Sequence, residues 1–144
     1  MLTVSSIGHV AIRVKEIERT LDFYVNKLGF AEMLRMDRDG RLWIVYLRIT
    51  DDQYLEIFPE GTGDRAPERE PVGYNHMCLT VPDIQQCARE LEAAGVPLIR
   101  EVLKHPADNN WQCWIEDPDG HRIELMEMAS DSKQFEAIAR LKQG

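Results

Sequence analysis

Two histidine and glutamate pairs recur along this chain at nearly the same interval: His9 precedes Glu56 by 47 residues, and His76 precedes Glu124 by 48. Neutral imidazole nitrogen and carboxylate oxygen are donors that suit a borderline divalent cation such as nickel, cobalt, zinc, iron or manganese, whereas a dedicated magnesium site leans on oxygen alone. A lone strand histidine is more often a structural residue than a ligand, and a strand glutamate usually faces water. Packing, however, gives no reason for the same two residue types to stand at the same two places twice. His9, Glu56, His76 and Glu124 are therefore the expected ligands of one divalent metal ion. His105 and His121 have no counterpart in the other copy and read as loop or turn residues.

The elements around these residues repeat as well. His9-Val10-Ala11-Ile12-Arg13-Val14 lies over His76-Met77-Cys78-Leu79-Thr80-Val81, type for type. Alternation makes each stretch a strand with its aliphatic residues on one face and the histidine on the other. The period then lengthens to that of a helix, with stripes Ile17, Leu21, Tyr24, Leu28 and Ile84, Ala88, Leu91, and each helix ends at a glycine, Gly29 or Gly95. Asp83 and Gln86 have the spacing of a capping box.

Three strand-like runs follow each helix: 30–37, 41–50 and 53–59, then 98–104, 111–117 and 121–128. Arg38-Asp39-Gly40 and Asp117-Pro118-Asp119-Gly120 carry turn chemistry. Glu56 sits between Leu55 and Ile57, and Glu124 between Ile123 and Leu125, so both carboxylates face away from the aliphatic core.

The expected fold class is α+β: two βαβββ modules with curved mixed sheets around a metal-binding cavity. The modules span 5–60 and 74–128, a linker covers 61–73, and a helix at 129–144 is expected to dock through Phe135, Ile138 and Leu141, all within one structural domain. Trp43-Ile44 and Trp114-Ile115 read as core or cavity wall, and Asp51-Asp52 as a solvated turn.

With 44% hydrophobic and 29% charged residues the chain has the composition of a soluble globular protein. A net charge of -8 would repel nucleic acid and anionic membranes, leaving small molecules and cations as the expected partners. Residues 1–14 lack the features of a secretory signal, and no segment reaches membrane-spanning length. Cys78, Cys87 and Cys113 form no C-x-x-C pair and are expected to be reduced thiols in a cytoplasmic protein.

The Ile7-Gly8-His9-Val10-Ala11 opening, the Leu21-Asp22-Phe23-Tyr24 helix leading to Leu28-Gly29-Phe30, and the Asp117-Pro118-Asp119-Gly120-His121-Arg122-Ile123-Glu124 close resemble the vicinal-oxygen-chelate superfamily. That superfamily includes glyoxalase I, methylmalonyl-CoA epimerases, ring-cleaving dioxygenases and antibiotic-resistance proteins. The likeness spans about residues 5 to 128. A complete His/Glu/His/Glu set is similar to bacterial glyoxalase I, a lactoylglutathione lyase.

The resemblance implies a metal-dependent lyase or isomerase that chelates vicinal oxygens and passes a proton through an enediolate. Glu124 is its first candidate base and Glu56 its second. Arg13, four residues after the first ligand, matches a residue that binds the glutathione carboxylate. It also implies a homodimer, since short relatives often build the site from one module of each subunit.

Two features depart from the glyoxalase I pattern. Glu60 replaces an asparagine, and the loop 104–112 is not glycine-rich. Epimerisation of a related α-hydroxy-carbonyl or sugar substrate, a non-haem iron dioxygenase and a non-catalytic binding protein are the alternatives.

Overall fold

The structure is a computed structural model describing residues 2–143; Met1 and Gly144, which close the expected terminal segments, lie outside the described residues. It divides into two compact units, with the boundary in sequence between Asp64 and Arg65.

The first unit runs β1 (His9–Arg13), α1 (Ile17–Leu21), a π-helical continuation (Asp22–Lys27), β2 (Ala31–Arg38), β3 (Arg41–Thr50) and β4 (Gln53–Phe58). Its sheet has the order β1-β4-β3-β2, with β1 parallel to β4 and the other pairs antiparallel. The second unit repeats the plan: β5 (Met77–Thr80), α2 (Ile84–Ala93), β6 (Arg100–Lys104), β7 (Trp111–Glu116) and β8 (Arg122–Glu127), in the sheet order β5-β8-β7-β6. The α+β class and the two βαβββ modules are thus as expected.

The strands form because their alternation has a core to serve. Val45, Leu47, Leu55 and Ile57 are fully buried in the first unit, as are Cys113, Ile115 and Ile123 in the second. The β2–β3 hairpin turns on Asp39 (φ 52°) and Gly40 (φ 75°), the left-handed pair that a two-residue loop matched to strand twist requires. Gly29 (φ 77°) and Gly95 (φ 69°) end the helical segments in the same conformation.

The first helical segment departs from the expected α-helix. After one α-turn it widens into a π-helix, with the Leu28 amide donating to the Phe23 carbonyl five residues back at 3.0 Å. The buried side chains become Thr20, Leu21, Phe23 and Tyr24, while Ile17 and Leu28 of the expected stripe are only half-buried. The wide turn carries the adjacent Phe23 and Tyr24 rings inward together, stacked edge to face at 5.0 Å.

Only half of the expected capping box forms on α2. The Asp83 carboxylate accepts from the Gln86 amide at 2.8 Å, but the Gln86 side chain turns to Glu90 and Arg89. Glu127, at the end of β8, satisfies a different amide of the first turn, accepting from Ile84 at 2.8 Å. The last strand therefore fastens the helix as well as completing the sheet.

The terminal helix α3 (Lys133–Leu141) forms, but its expected inner edge is on the outside: Phe135, Ile138 and Leu141 are 53, 42 and 82% exposed. Polar contacts anchor its start instead. Ser132 caps the Phe135 amide, and the Gln134 side chain bridges Asn110 and Asp108. The fully buried Asn110 also accepts from the Ala129 amide, so the loop before β7 and the start of α3 hold each other.

The segment expected as linker is tied down at its start and again at residues 65 and 66. Gly61 donates to the Val14 carbonyl at 2.8 Å, Arg65 pairs with Glu116 at 2.7 Å, and Ala66 donates to the Asp119 carbonyl at 2.7 Å. No helix among the described residues is long and apolar enough to cross a membrane.

Cys78, Cys87 and Cys113 are free thiols. Burial pushes the thiol of fully buried Cys113 up to about 11. A raised thiol favours the protonated folded state, so its contribution is complete below the unfolded pKa near 9 and is lost as pH rises through about 11. Denaturation midpoints should therefore fall across that alkaline window, and Cys113→Ala should flatten the fall. An unchanged slope in the variant would remove Cys113 from the account.

Candidate metal centre

In the first unit the histidine and the glutamate come together because β1 lies parallel to β4. Ala11 stands opposite Glu56 in that register, and His9 follows the same face. With Leu55 and Ile57 fully buried on the other face, the Glu56 side chain is aimed at His9: Nε2 to Oε2 is 3.3 Å. Glu56 is itself only 8% exposed, so this is not an ordinary solvated strand glutamate.

The other oxygen of Glu56 is also engaged. Tyr46 stands opposite Glu56 across the β3–β4 pair, and its phenol donates to Oε1 at 2.5 Å. That hydrogen bond, with burial and the carboxylate charge adding to it, raises the pKa of the Tyr46 phenol. Arg13, two residues beyond Ala11, rests its guanidinium 5.2 Å from the Phe58 ring centroid and donates to the Pro59 carbonyl.

The second unit repeats the pair. His76 Nε2 is 3.1 Å from Glu124 Oε2, and Ile123 and Leu125 are buried on the opposite face. Here the histidine has a partner behind it. The Asn75 amide nitrogen donates to the Arg69 carbonyl at 3.3 Å, which turns its oxygen toward His76 Nδ1, 2.7 Å away. Arg122 holds that segment in place by donating to the Asn75 carbonyl at 2.7 Å.

With Nδ1–H given to Asn75, the Nε2 lone pair faces a carboxylate oxygen. Two acceptors at that separation are bridged by a proton or by a cation. A histidine oriented through its far nitrogen by an amide oxygen is the arrangement metal-binding imidazoles use. The donor set and its support thus fit a borderline divalent cation.

Other side chains complete this face of the second unit. Trp114 stands opposite Glu124, its ring 4.7 Å from that of His76, and its indole N–H donates to Gln112 at 2.6 Å. Arg69 and Arg100 flank the same indole, at 5.7 and 5.6 Å from its centroid, and neither makes an ion pair among the described residues. Cys78 stands opposite Glu124 on β5; burial, followed by the charge and the hydrogen bond of Glu124, pushes its thiol up to about 12.

Each unit therefore brings together one histidine and one glutamate. Among the described residues no group of three or more histidine, cysteine, aspartate or glutamate side chains that could hold a metal ion is found. His121 accompanies Asp117 in the turn before β8, and His105 accepts from the Ala107 amide in its loop, so both are the turn and loop residues expected.

Tyr46, Asn75 and Cys78 were not singled out for the site by sequence reasoning, and Trp114 was read only as core or cavity wall. Two of them carry a usable signal: Tyr46 lies ten residues before Glu56 and Trp114 ten before Glu124, the offset a hairpin needs to set them opposite.

Residues 6–125 match the profile of the Glyoxalase/Bleomycin resistance protein/Dioxygenase superfamily. A lactoylglutathione lyase of Neisseria meningitidis is 30% identical over 128 residues, covering 85% of this chain and 90% of that protein. One from Pseudomonas putida is 28% identical over 146 residues, with 83% of each chain covered. The crystal structure of a glyoxalase family protein from Enterococcus faecalis superposes with a TM-score of 0.75 at 28% identity, covering 85% of this chain and 97% of that one.

Proposed function

Because the chain belongs to the Glyoxalase/Bleomycin resistance protein/Dioxygenase superfamily, we propose that it is a divalent-metal-dependent lyase or isomerase of the glyoxalase I type. The observation that carries this reading is the repeated histidine–glutamate pair, His9 with Glu56 and His76 with Glu124, at 3.3 and 3.1 Å. His9, Glu56, His76 and Glu124 are the four residues that would hold the cation. A homodimer pairing one module of each subunit would supply this set as fully as a single chain.

A bound divalent cation supplies Lewis acidity toward two neighbouring substrate oxygens, which acidifies the adjacent C–H. The protein's own groups do the rest. Glu124 takes the proton from one carbon and returns it to the next, and its partly buried carboxylate keeps bulk water from competing for that proton. His76, fixed by Asn75, keeps its imidazole directed at Glu124. Arg13, Arg69 and Arg100 provide positive charge for an anionic substrate arm, which agrees with a thiol conjugate carrying carboxylates.

The experiment is an activity screen of metal-free protein loaded in turn with nickel, cobalt, zinc, iron or manganese. Methylglyoxal with glutathione is tested first, followed by other α-hydroxy-carbonyl compounds in deuterated water. Metal-dependent thioester formation, or metal-dependent exchange of the carbon-bound proton, is the expected result. Absence of both with every metal would overturn the reading and leave ligand binding without catalysis.

A further inference from the structure

The two half-sites are built on one plan, yet the residues beside their carboxylates differ. Opposite Glu56 stand Ala11 and Tyr46; opposite Glu124 stand Cys78 and Trp114. The differences change what each carboxylate can do. Glu56 has Oε1 tied to the Tyr46 phenol at 2.5 Å, while its Oε2 faces His9 Nε2 at 3.3 Å, as Glu124 Oε2 faces His76 at 3.1 Å. A hydrogen bond from a hydroxyl to an ionised carboxylate is short and strong, and Tyr46 is held in place by its strand pairing with Glu56 itself.

Among the described residues Glu124 has no such anchor. The residue in the place of Tyr46 is Trp114, whose single N–H is given to Gln112. What Glu124 meets instead is His76 Nε2 and the Cys78 thiol, a weak donor.

Building on the metal-dependent reading above, we propose that Tyr46 is a positioning residue that ties down Oε1 of Glu56 and leaves Oε2 alone for the cation. Glu56 then serves as a fixed ligand, and proton transfer falls to the more loosely held Glu124. The repeat supplies two chemically similar carboxylates, and a single phenol gives them different tasks.

The test is a double-mutant cycle on zinc affinity, measured by competition with a chelator on wild type, Tyr46→Phe, Glu56→Gln and the double variant. Removing a group that orients a ligand typically weakens metal binding ~10–100-fold, and that is the loss expected for Tyr46→Phe. In the Glu56→Gln background the same change should matter by no more than about 2-fold, because the group it acts through is gone. Tyr46→Trp, which copies the second unit's residue, should behave as Tyr46→Phe. Tyr54→Phe, whose hydroxyl donates to the Asp51 carbonyl, should match wild type. Circular dichroism of each variant checks the fold, and the visible spectrum of the cobalt-loaded forms should change for Tyr46→Phe and not for Tyr54→Phe.

Wild-type affinity in both Tyr46 variants, or an equal loss with and without Glu56, would overturn the Tyr46 assignment alone. A wild type that binds no cation would overturn the metal reading and this proposal together.

Discussion

Glu124→Gln should lower turnover by roughly 10²–10⁴-fold, the usual worth of a positioned general base, while the protein stays folded. The amide keeps the shape of the side chain, but it cannot accept the proton. The loss should therefore appear in kcat, with KM changed far less. Glu56→Gln should behave differently, reducing metal content first and activity as a consequence. The comparison uses steady-state kinetics on the substrate found by the metal screen, with each variant's metal content measured alongside. A Glu124→Gln enzyme within a few-fold of wild type would remove Glu124 from the proton transfer, and loss of activity only in Glu56→Gln would exchange the two roles.

The second large effect is on stability. Leu55 is fully buried beside Glu56, and Leu55→Ala should cost about 2–5 kcal/mol, the transfer energy of the missing methyls plus the cavity left behind. Because Leu55 and Ile57 aim Glu56 by packing on the opposite face, loosening them should also loosen the ligand. Urea denaturation gives the first quantity and zinc affinity the second. A cost below ~1 kcal/mol would mean that this strand does not depend on its buried face as described.

The features that could be read in the sequence are those governed by short periods. Alternation around Glu56 and Glu124 gave the faces, the two glycines gave the ends of the helical segments, and the His–Glu interval gave the pairs now seen at 3.3 and 3.1 Å. Features that depend on what lies opposite were not legible. The π-turn at Asp22–Lys27 inserts a wide turn that no 3.6-residue pattern marks, so Phe23 was missed as a buried residue.

The apolar edge of α3 has the spacing of a packed stripe, yet periodicity cannot tell which surface a helix meets, and polar anchors at Ser132 and Gln134 decide its placement. Gln86 had the right offset for a reciprocal cap, but Glu90 and Arg89 compete for its side chain. Tyr46 and Asn75 act on the histidine–glutamate pairs through strand register and a neighbouring amide. Both relations become visible only once the hairpins and the Asn75 side chain have been placed.

Metal content reads out the four-ligand site itself. Wild type, Glu56→Gln and His76→Ala are purified side by side without added metal, and their metals are counted by mass spectrometry. About one tightly bound divalent ion per four-ligand site is expected in the wild type, with clear loss in both variants, since each removes a ligand from a different half-site. A wild type with no ion above background, even after exposure to nickel, cobalt, zinc, iron and manganese, would contradict the four-ligand site.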